Sequence, residues 1–188
     1  STPVISLGEE LPPGDVDVLI SADDAAMGAA LAGRMIADGV ASCVVFRTAN
    51  ASKAQAGRLD GLLRALGEGG VACGVEEVSE NTLSKLGGSG AAVALDASVM
   101  ALLADRASEG CALYGIGLSN HILSRLESGR VCGLVVQSDF AAGYLCIESA
   151  VEALSGGRPQ ARIRLEHYSV GRDTMYERPL EPILFPIP

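Results

Sequence analysis

Residues 91–139 read AAVALDASVMALLADRASEGCALYGIGLSNHILSRLESGRVCGLVVQSD. Three times in this stretch a short apolar run meets a polar residue and then a helix-like segment. AAVAL (91–95) ends at Asp96 and leads into 97–108. CALYGIG (111–117) ends at Leu118-Ser119-Asn120 and leads into 120–128. VCGLVVQ (131–137) ends at Ser138-Asp139 and leads into 140–155. The apolar runs are continuous rather than alternating, as expected of strands buried on both faces. Asp, Ser and Asn at the junctions are N-cap residues, and Gly110, Gly129 and Gly156 stand where the helices should stop.

The same unit continues outward. Toward the amino terminus, SCVVFR (42–47) reads as a strand, followed by the polar loop 48–53. A helix then runs to about Leu66, with Leu59, Leu62, Leu63 and Leu66 at helical spacing. VACGVEEV (71–78) is a strand, and a short helix over 80–86 leads to the break Gly87-Gly88-Ser89-Gly90. Further back, TPVISL (2–7) and VDVLI (16–20) are strands around the breaker LPPGD, and an Ala-rich helix spans 24–38. Beyond the quoted stretch, ARIRLEHY (161–168) alternates as one half-exposed strand should. The proline-rich RPLEPILFPIP reads as an extended closing segment. The fold class predicted is α/β, an open doubly wound parallel sheet with helices on both faces.

Ligands of such sheets bind outside the carboxyl ends of the strands. That rule selects the loops 21–24, 47–53, 96–98, 117–120 and 137–139. The candidate ligand-binding residues on them are Arg47, Asn50, Asp96, Ser119, Asn120 and Gln137. Carboxylates, amides and hydroxyls suit a neutral polyhydroxylated or amino-bearing ligand, each fixing its orientation by hydrogen bonds. Ser21, Ser119 and Ser138 also have a plain explanation as helix caps. Arg47 and Gln137 each terminate an apolar strand and are not explained that way.

Composition removes several function classes. Lys and Arg total 14 against 23 Asp and Glu, a formal charge of −9, the wrong sign for a phosphate backbone or an anionic membrane. No apolar run reaches the roughly 18 residues of a membrane span. Trp is absent and only seven residues are Phe or Tyr, so stacking has few rings to use. Cys43, Cys73, Cys111, Cys132 and Cys146 form no CxxC, and apolar neighbours mark most of them as buried thiols rather than a disulfide framework. His121 and His167 stand apart without ligand spacing, so no metal is expected. Asp23-Asp24 reads as a cap and a helix-dipole partner. There is no GxxxxGK[ST] or GxSxG, and Gly115-Ile116-Gly117 lacks the third glycine and the acidic partner of a dinucleotide site. No cofactor and no catalytic residue are assigned. The chain begins with Ser and reads as a processed product or a piece of a larger protein.

The order of segments resembles the carboxyl-terminal part of type 1 periplasmic solute-binding proteins, the ribose-binding-like group serving ABC importers. TPVISLGEE is similar to the segment before the family's first crossover between lobes. ISADDAAMGAALAGRMI, GRLDGLLRAL and AVALDASVMALL resemble successive second-lobe segments. LYGIGLSNHILSRLESGRVCGLVVQSDFAAGYLCIESAVEAL is the most similar stretch, and VGRDTMYERPLEPILFPI resembles the carboxyl-terminal strand and tail. The resemblance keeps Arg58, Asp96 and Gln137. It departs at Gly8-Glu9, where the family has Asp-Arg, and at Ala56, where it has a sugar-gripping Arg. Leu62 stands for Phe, Leu95 for Asn, and Gly115-Ile116-Gly117 for Gly-Phe-Asp. Arg47 and Asn50 are expected to supply replacement contacts.

The resemblance implies a remnant of the first lobe and hinge at 1–21, a Rossmann-like second lobe at 22–137, and a returning first-lobe helix, strand and tail at 138–188. It implies non-catalytic capture of a small polar molecule, a carbohydrate by family habit. The partners are then ABC-importer membrane subunits, and the location is extracytoplasmic, periplasmic or as a lipoprotein. A homodimer would cover surface left bare by the missing part of the first lobe. Two alternatives share the fold: the effector domain of a LacI-type regulator, and a degenerate sensory or dimerisation module.

Overall fold

The polar residues at strand ends are positioned by two sheets. The computed structural model describes residues 2–8, 11–12, 14–84, 86 and 90–185. Glu9, the Gly87-Gly88-Ser89 break and the last three tail residues lie outside these. In chain order the elements are β1 (Ile5–Leu7), β2 (Val18–Ala22), α1 (Asp24–Ala37), β3 (Ser42–Arg47), α2 (Lys53–Glu68), β4 (Ala72–Glu77), α3 (Glu80–Leu83) and β5 (Ala91–Ala94). Then come α4 (Ala97–Arg106), β6 (Ala112–Ile116), α5 (Asn120–Glu127), β7 (Gly133–Gln137), α6 (Asp139–Leu154), β8 (Arg162–Leu165), β9 (His167–Val170) and α7 (Leu180–Leu184).

The smaller sheet has the order β1-β2-β8 and is parallel. The larger has the order β4-β3-β5-β6-β7-β9 and is parallel except for β9. This is the α/β, parallel-dominated architecture predicted. The continuous apolar runs are explained by burial on both sides. Cys43, Val45, Val93, Leu95, Ile116 and Val135 face α1 and α2. Phe46, Ala92, Ala94, Leu113, Leu134 and Val136 face the opposite core with α4 and α5 residues such as Met100, Leu103, Ile122 and Leu126.

Two sequence expectations are corrected. ARIRLEHY is not one strand. Ile163 and Leu165 pack with Val18, Ile20 and Ala142 in the small sheet's core. The chain then crosses at exposed Glu166, and His167–Val170 runs antiparallel along β7, pairing an edge whose backbone groups would otherwise stay open. The tail is not simply extended either. Leu180, Ile183 and Leu184 recur at helical spacing and, with Met175, join the larger sheet's core. Pro182 falls in the first turn of α7, where its missing N–H leaves no helical bond unmade. β9 and α7 therefore pack with the larger sheet, whereas β8 pairs in the smaller one and α6 packs against it.

The closest helix contact sets the site. A Cβ on Gly28 of α1 would lie 2.0 Å from the Arg58 carbonyl oxygen. One on Gly61 of α2 would lie 1.9 Å from the Ala25 carbonyl oxygen. The two backbones touch because both residues lack side chains, and this seam brings Arg58 beside Asp24. On α6 the inner residues Ala142 and Ser149 are buried. Its outer face carries Phe140, Tyr144, Ile147, Val151 and Leu154, each 57–76% exposed.

Candidate ligand-binding site

The chain passes between the sheets at three places: β2 to α1, β7 to α6, and β8 to β9. A cavity of about 240 Å³ lies against these crossings. Its lining includes Ser21, Asp24, Arg58, Gln137, Asp139 and Leu165. That is slightly below the range for drug-sized ligands, so the space suits a small molecule.

Each polar group there has a local cause. Asp24 opens α1, one residue after Asp23, whose carboxylate accepts the Ala26 N–H at 3.1 Å. Arg58 projects from the α1–α2 seam. Its Nε donates to Asp24 Oδ1 at 2.9 Å and its terminal nitrogen donates to the Leu95 carbonyl at 2.8 Å. The pair is largely shielded, with side-chain exposures of 16% and 28%, so its charges cancel locally and its remaining hydrogen-bonding sites border the cavity. Arg164 of β8 pairs with Asp23, linking the small sheet to the start of α1.

Gln137 ends β7 opposite His167. Its Oε1 is buried and accepts no hydrogen bond among the described residues. A buried amide oxygen without a donor costs about 1–3 kcal/mol, and the residue that carries it lines the cavity.

The other sequence candidates share the carboxyl edge of the larger sheet but not the cavity. Asp96 caps α4: Oδ1 accepts the Ser98 N–H at 2.8 Å and the Val99 N–H at 2.9 Å, and Oδ2 accepts from the buried Gln55 amide. Gln55 in turn accepts from the Thr48 hydroxyl at 3.0 Å, tying the 48–53 loop to the end of β5. Ser119 caps α5 through the Ile122 N–H at 3.2 Å, and Asn120 is exposed beside it. Arg47 is exposed at the end of β3, in register with Glu77, and Asn50 is exposed in the following loop. The structure thus brings Gln137 to the cavity and connects Asp96 to its border through Leu95 and Arg58. It leaves Arg47, Asn50, Ser119 and Asn120 along the rim.

Arg58, Asp24 and Asp139 complete the lining but were not among the sequence-selected ligand residues. The signal for Arg58 was its neighbourhood: Gly57 and Gly61 flank it on one helix, marking a face of close approach. A second cavity, of about 400 Å³, runs along the outer part of the larger sheet from Ser42 and Ala72 to Phe46 and Glu76, with Thr82 of α3 on its wall. Its walls are mainly apolar and offer few groups to orient a polar ligand.

This topology is that of the type 1 periplasmic binding proteins. The likeness is carried by structure: the sequence matches no family model and no curated protein. A carbohydrate-transporter solute-binding protein from Agrobacterium radiobacter, in complex with D-arabinose, superposes with a TM-score of 0.79 at 16% identity. The match covers 97% of this chain and 70% of that one. An ABC-transporter solute-binding protein from Agrobacterium vitis with bound D-fucose gives 0.81 at 13% identity, over 97% and 71%. A Bacteroides fragilis protein described as a LacI transcriptional regulator gives 0.76 at 14% identity, over 92% and 68%.

Proposed function

We propose that this chain binds a small polar solute, monosaccharide-sized and rich in hydroxyls, in the cavity between its two sheets, without catalysis. The observation that carries the reading is Gln137 in the cavity lining, whose buried Oε1 has no partner among the described residues and would accept from a ligand hydroxyl once the side chain turns into the cavity. Arg58 and Asp24 offer donors and an acceptor on the same wall. The solved proteins with D-arabinose and D-fucose bound support a sugar as the solute. Three short crossings next to the cavity suit hinge closure, with the closed form presented to membrane subunits of an ABC importer on the extracytoplasmic side.

Self-association belongs to the same reading. Phe140, Tyr144, Ile147, Val151 and Leu154 follow the alternating four-three spacing of a two-helix seam. A second copy's α6 presents matching spacing. The LacI-type match keeps an effector-binding role as the alternative; in that case the ligand chemistry stays and the partner becomes a DNA-binding segment.

Thermal-shift screening with monosaccharides, polyols, nucleosides and amino acids, followed by calorimetry, tests the proposal. A ligand at a hundred times its Kd adds about 2.7 kcal/mol to the folded state, which is a rise of roughly 5–10 °C for a chain of this size. Gln137→Leu is expected to abolish the rise. Absence of any shift across the sugars and polyols overturns the reading.

A further inference from the structure

We propose that Cys43 and Cys73 form a redox-active pair that closes to a disulfide across the β3–β4 edge of the larger sheet. The two residues are register partners on adjacent parallel strands. Neighbouring strands lie about 4.7–4.9 Å apart, inside the roughly 4.4–6.8 Å Cα range that a disulfide spans. Register partners in a parallel sheet project to the same face, and both side chains pack in the core beneath α1 and α2. The thiols interact. Contact with Cys73, together with burial, pushes the Cys43 thiol up, and the same contact lowers Cys73.

The pair is asymmetric in the way that thiol exchange requires. Cys43 is buried on β3, whereas Cys73 is half-exposed on β4, the outermost strand, between exposed Ala72 and Gly74. The partial exposure of Cys73 on the outermost strand gives a small reagent a way in. Cys73 is thus the attacking group and Cys43 the resolving one.

The oxidant is a small-molecule disulfide such as oxidised glutathione. The Cys73 thiolate attacks one sulfur, an S–S bond forms, and the first small thiolate leaves and takes a proton from water. Cys43 gives up its proton and attacks Cys73 Sγ, expelling the second small thiol. Two protein thiols lose two electrons in total, and one small disulfide is reduced to two thiols.

The intact chain is incubated with oxidised glutathione, alkylated and mapped by peptide mass spectrometry. The expected product links the Cys43 and Cys73 peptides, lowers the count of alkylatable thiols from the five present by two, and melts higher than the reduced protein. Cys73→Ser is expected to lose both the link and the rise. Cys43→Ser is expected to stop at a lasting glutathione adduct on Cys73. If Cys43→Ser fails to fold, Cys73→Ser at the exposed edge still decides the matter. The inference is overturned if all five cysteines stay alkylatable, if wild type retains the adduct, or if the link involves Cys111, Cys132 or Cys146.

Discussion

Gly28→Ala tests whether the α1–α2 seam holds the site. The added methyl would stand 2.0 Å from the Arg58 carbonyl oxygen and 2.8 Å from the Leu62 nitrogen, both backbone atoms of α2. Neither can rotate aside, so the helices must part by roughly 1 Å in a core that packs like a crystal. Parting them loosens Met27, Leu31 and Leu62, each at most 1% exposed. Overpacking of this kind costs about 1–3 kcal/mol, and 1 kcal/mol moves the melting point of a chain this size by roughly 2–4 °C. Gly28→Ala is therefore expected to melt about 2–12 °C lower. Gly33→Ala is the control: it lies on the same helix, is exposed, and would meet nothing within 4 Å. It is expected to gain about 0.5–1 kcal/mol from helix propensity. Gly61→Ala repeats the clash from the other side, 1.9 Å from the Ala25 carbonyl oxygen. Once one methyl has opened the seam the second costs less, so the double variant should fall short of the sum. Differential scanning calorimetry of the five proteins decides it. Equal melting points for wild type and Gly28→Ala, or a Gly33→Ala loss as large as that of Gly28→Ala, would refute the seam.

Four further outcomes are expected. Tyr114 is buried and its hydroxyl donates to Asp38 Oδ2 at 3.0 Å; burial first, and then the Asp38 carboxylate, push its pKa above 10. The unfolded chain loses this proton before the folded one, so the tyrosine's stabilisation is present below pH 10 and drains away as pH rises beyond it. Denaturant titrations on either side of pH 10 should show that alkaline fall shrinking in Tyr114→Phe. Asp96→Ala should cost about 0.5–2 kcal/mol through its lost cap, whereas Gln137→Leu should leave urea stability equal or higher while removing solute binding. Ile147→Lys, in the middle of the α6 stripe, should abolish any concentration-dependent association seen by sedimentation velocity without lowering the melting point.

The larger sheet could be read ahead of its coordinates because burial on both faces leaves a mark in one dimension. AAVAL, CALYGIG and VCGLVVQ are unbroken apolar runs, each closed by a capping residue. The third crossing leaves no such mark. Ile163 and Leu165 alternate with arginines in the small sheet, and the alternation runs on through Glu166 into β9 without a glycine or proline, although the chain changes sheets there. Arg58 was marked by the family resemblance but not by pattern, for a related reason. An arginine inside an amphipathic helix reads as surface unless the partner helix is known to approach at Gly57 and Gly61. Tail proline content suggested extension, but Pro182 sits where a helix tolerates it, and burial of Leu180 and Leu184 decides the local structure.

Asp96 and Gln137 look alike in sequence, each a polar residue closing a buried strand, and the structure separates them by whether their hydrogen bonds are already made. Asp96 spends both oxygens inside the chain, on two backbone N–H groups and on Gln55. Removing it leaves the first turn of α4 uncapped and Gln55, itself buried, without its acceptor. Gln137 holds its oxygen in a buried position with no donor among the described residues, at a cost of about 1–3 kcal/mol. On the proposed reading a ligand hydroxyl recovers it, and a leucine at 137 removes both the cost and the recovery. Two polar residues at strand ends thus differ: Asp96 serves the fold, and under the proposed function Gln137 serves recognition, with the unmet bond marking the difference.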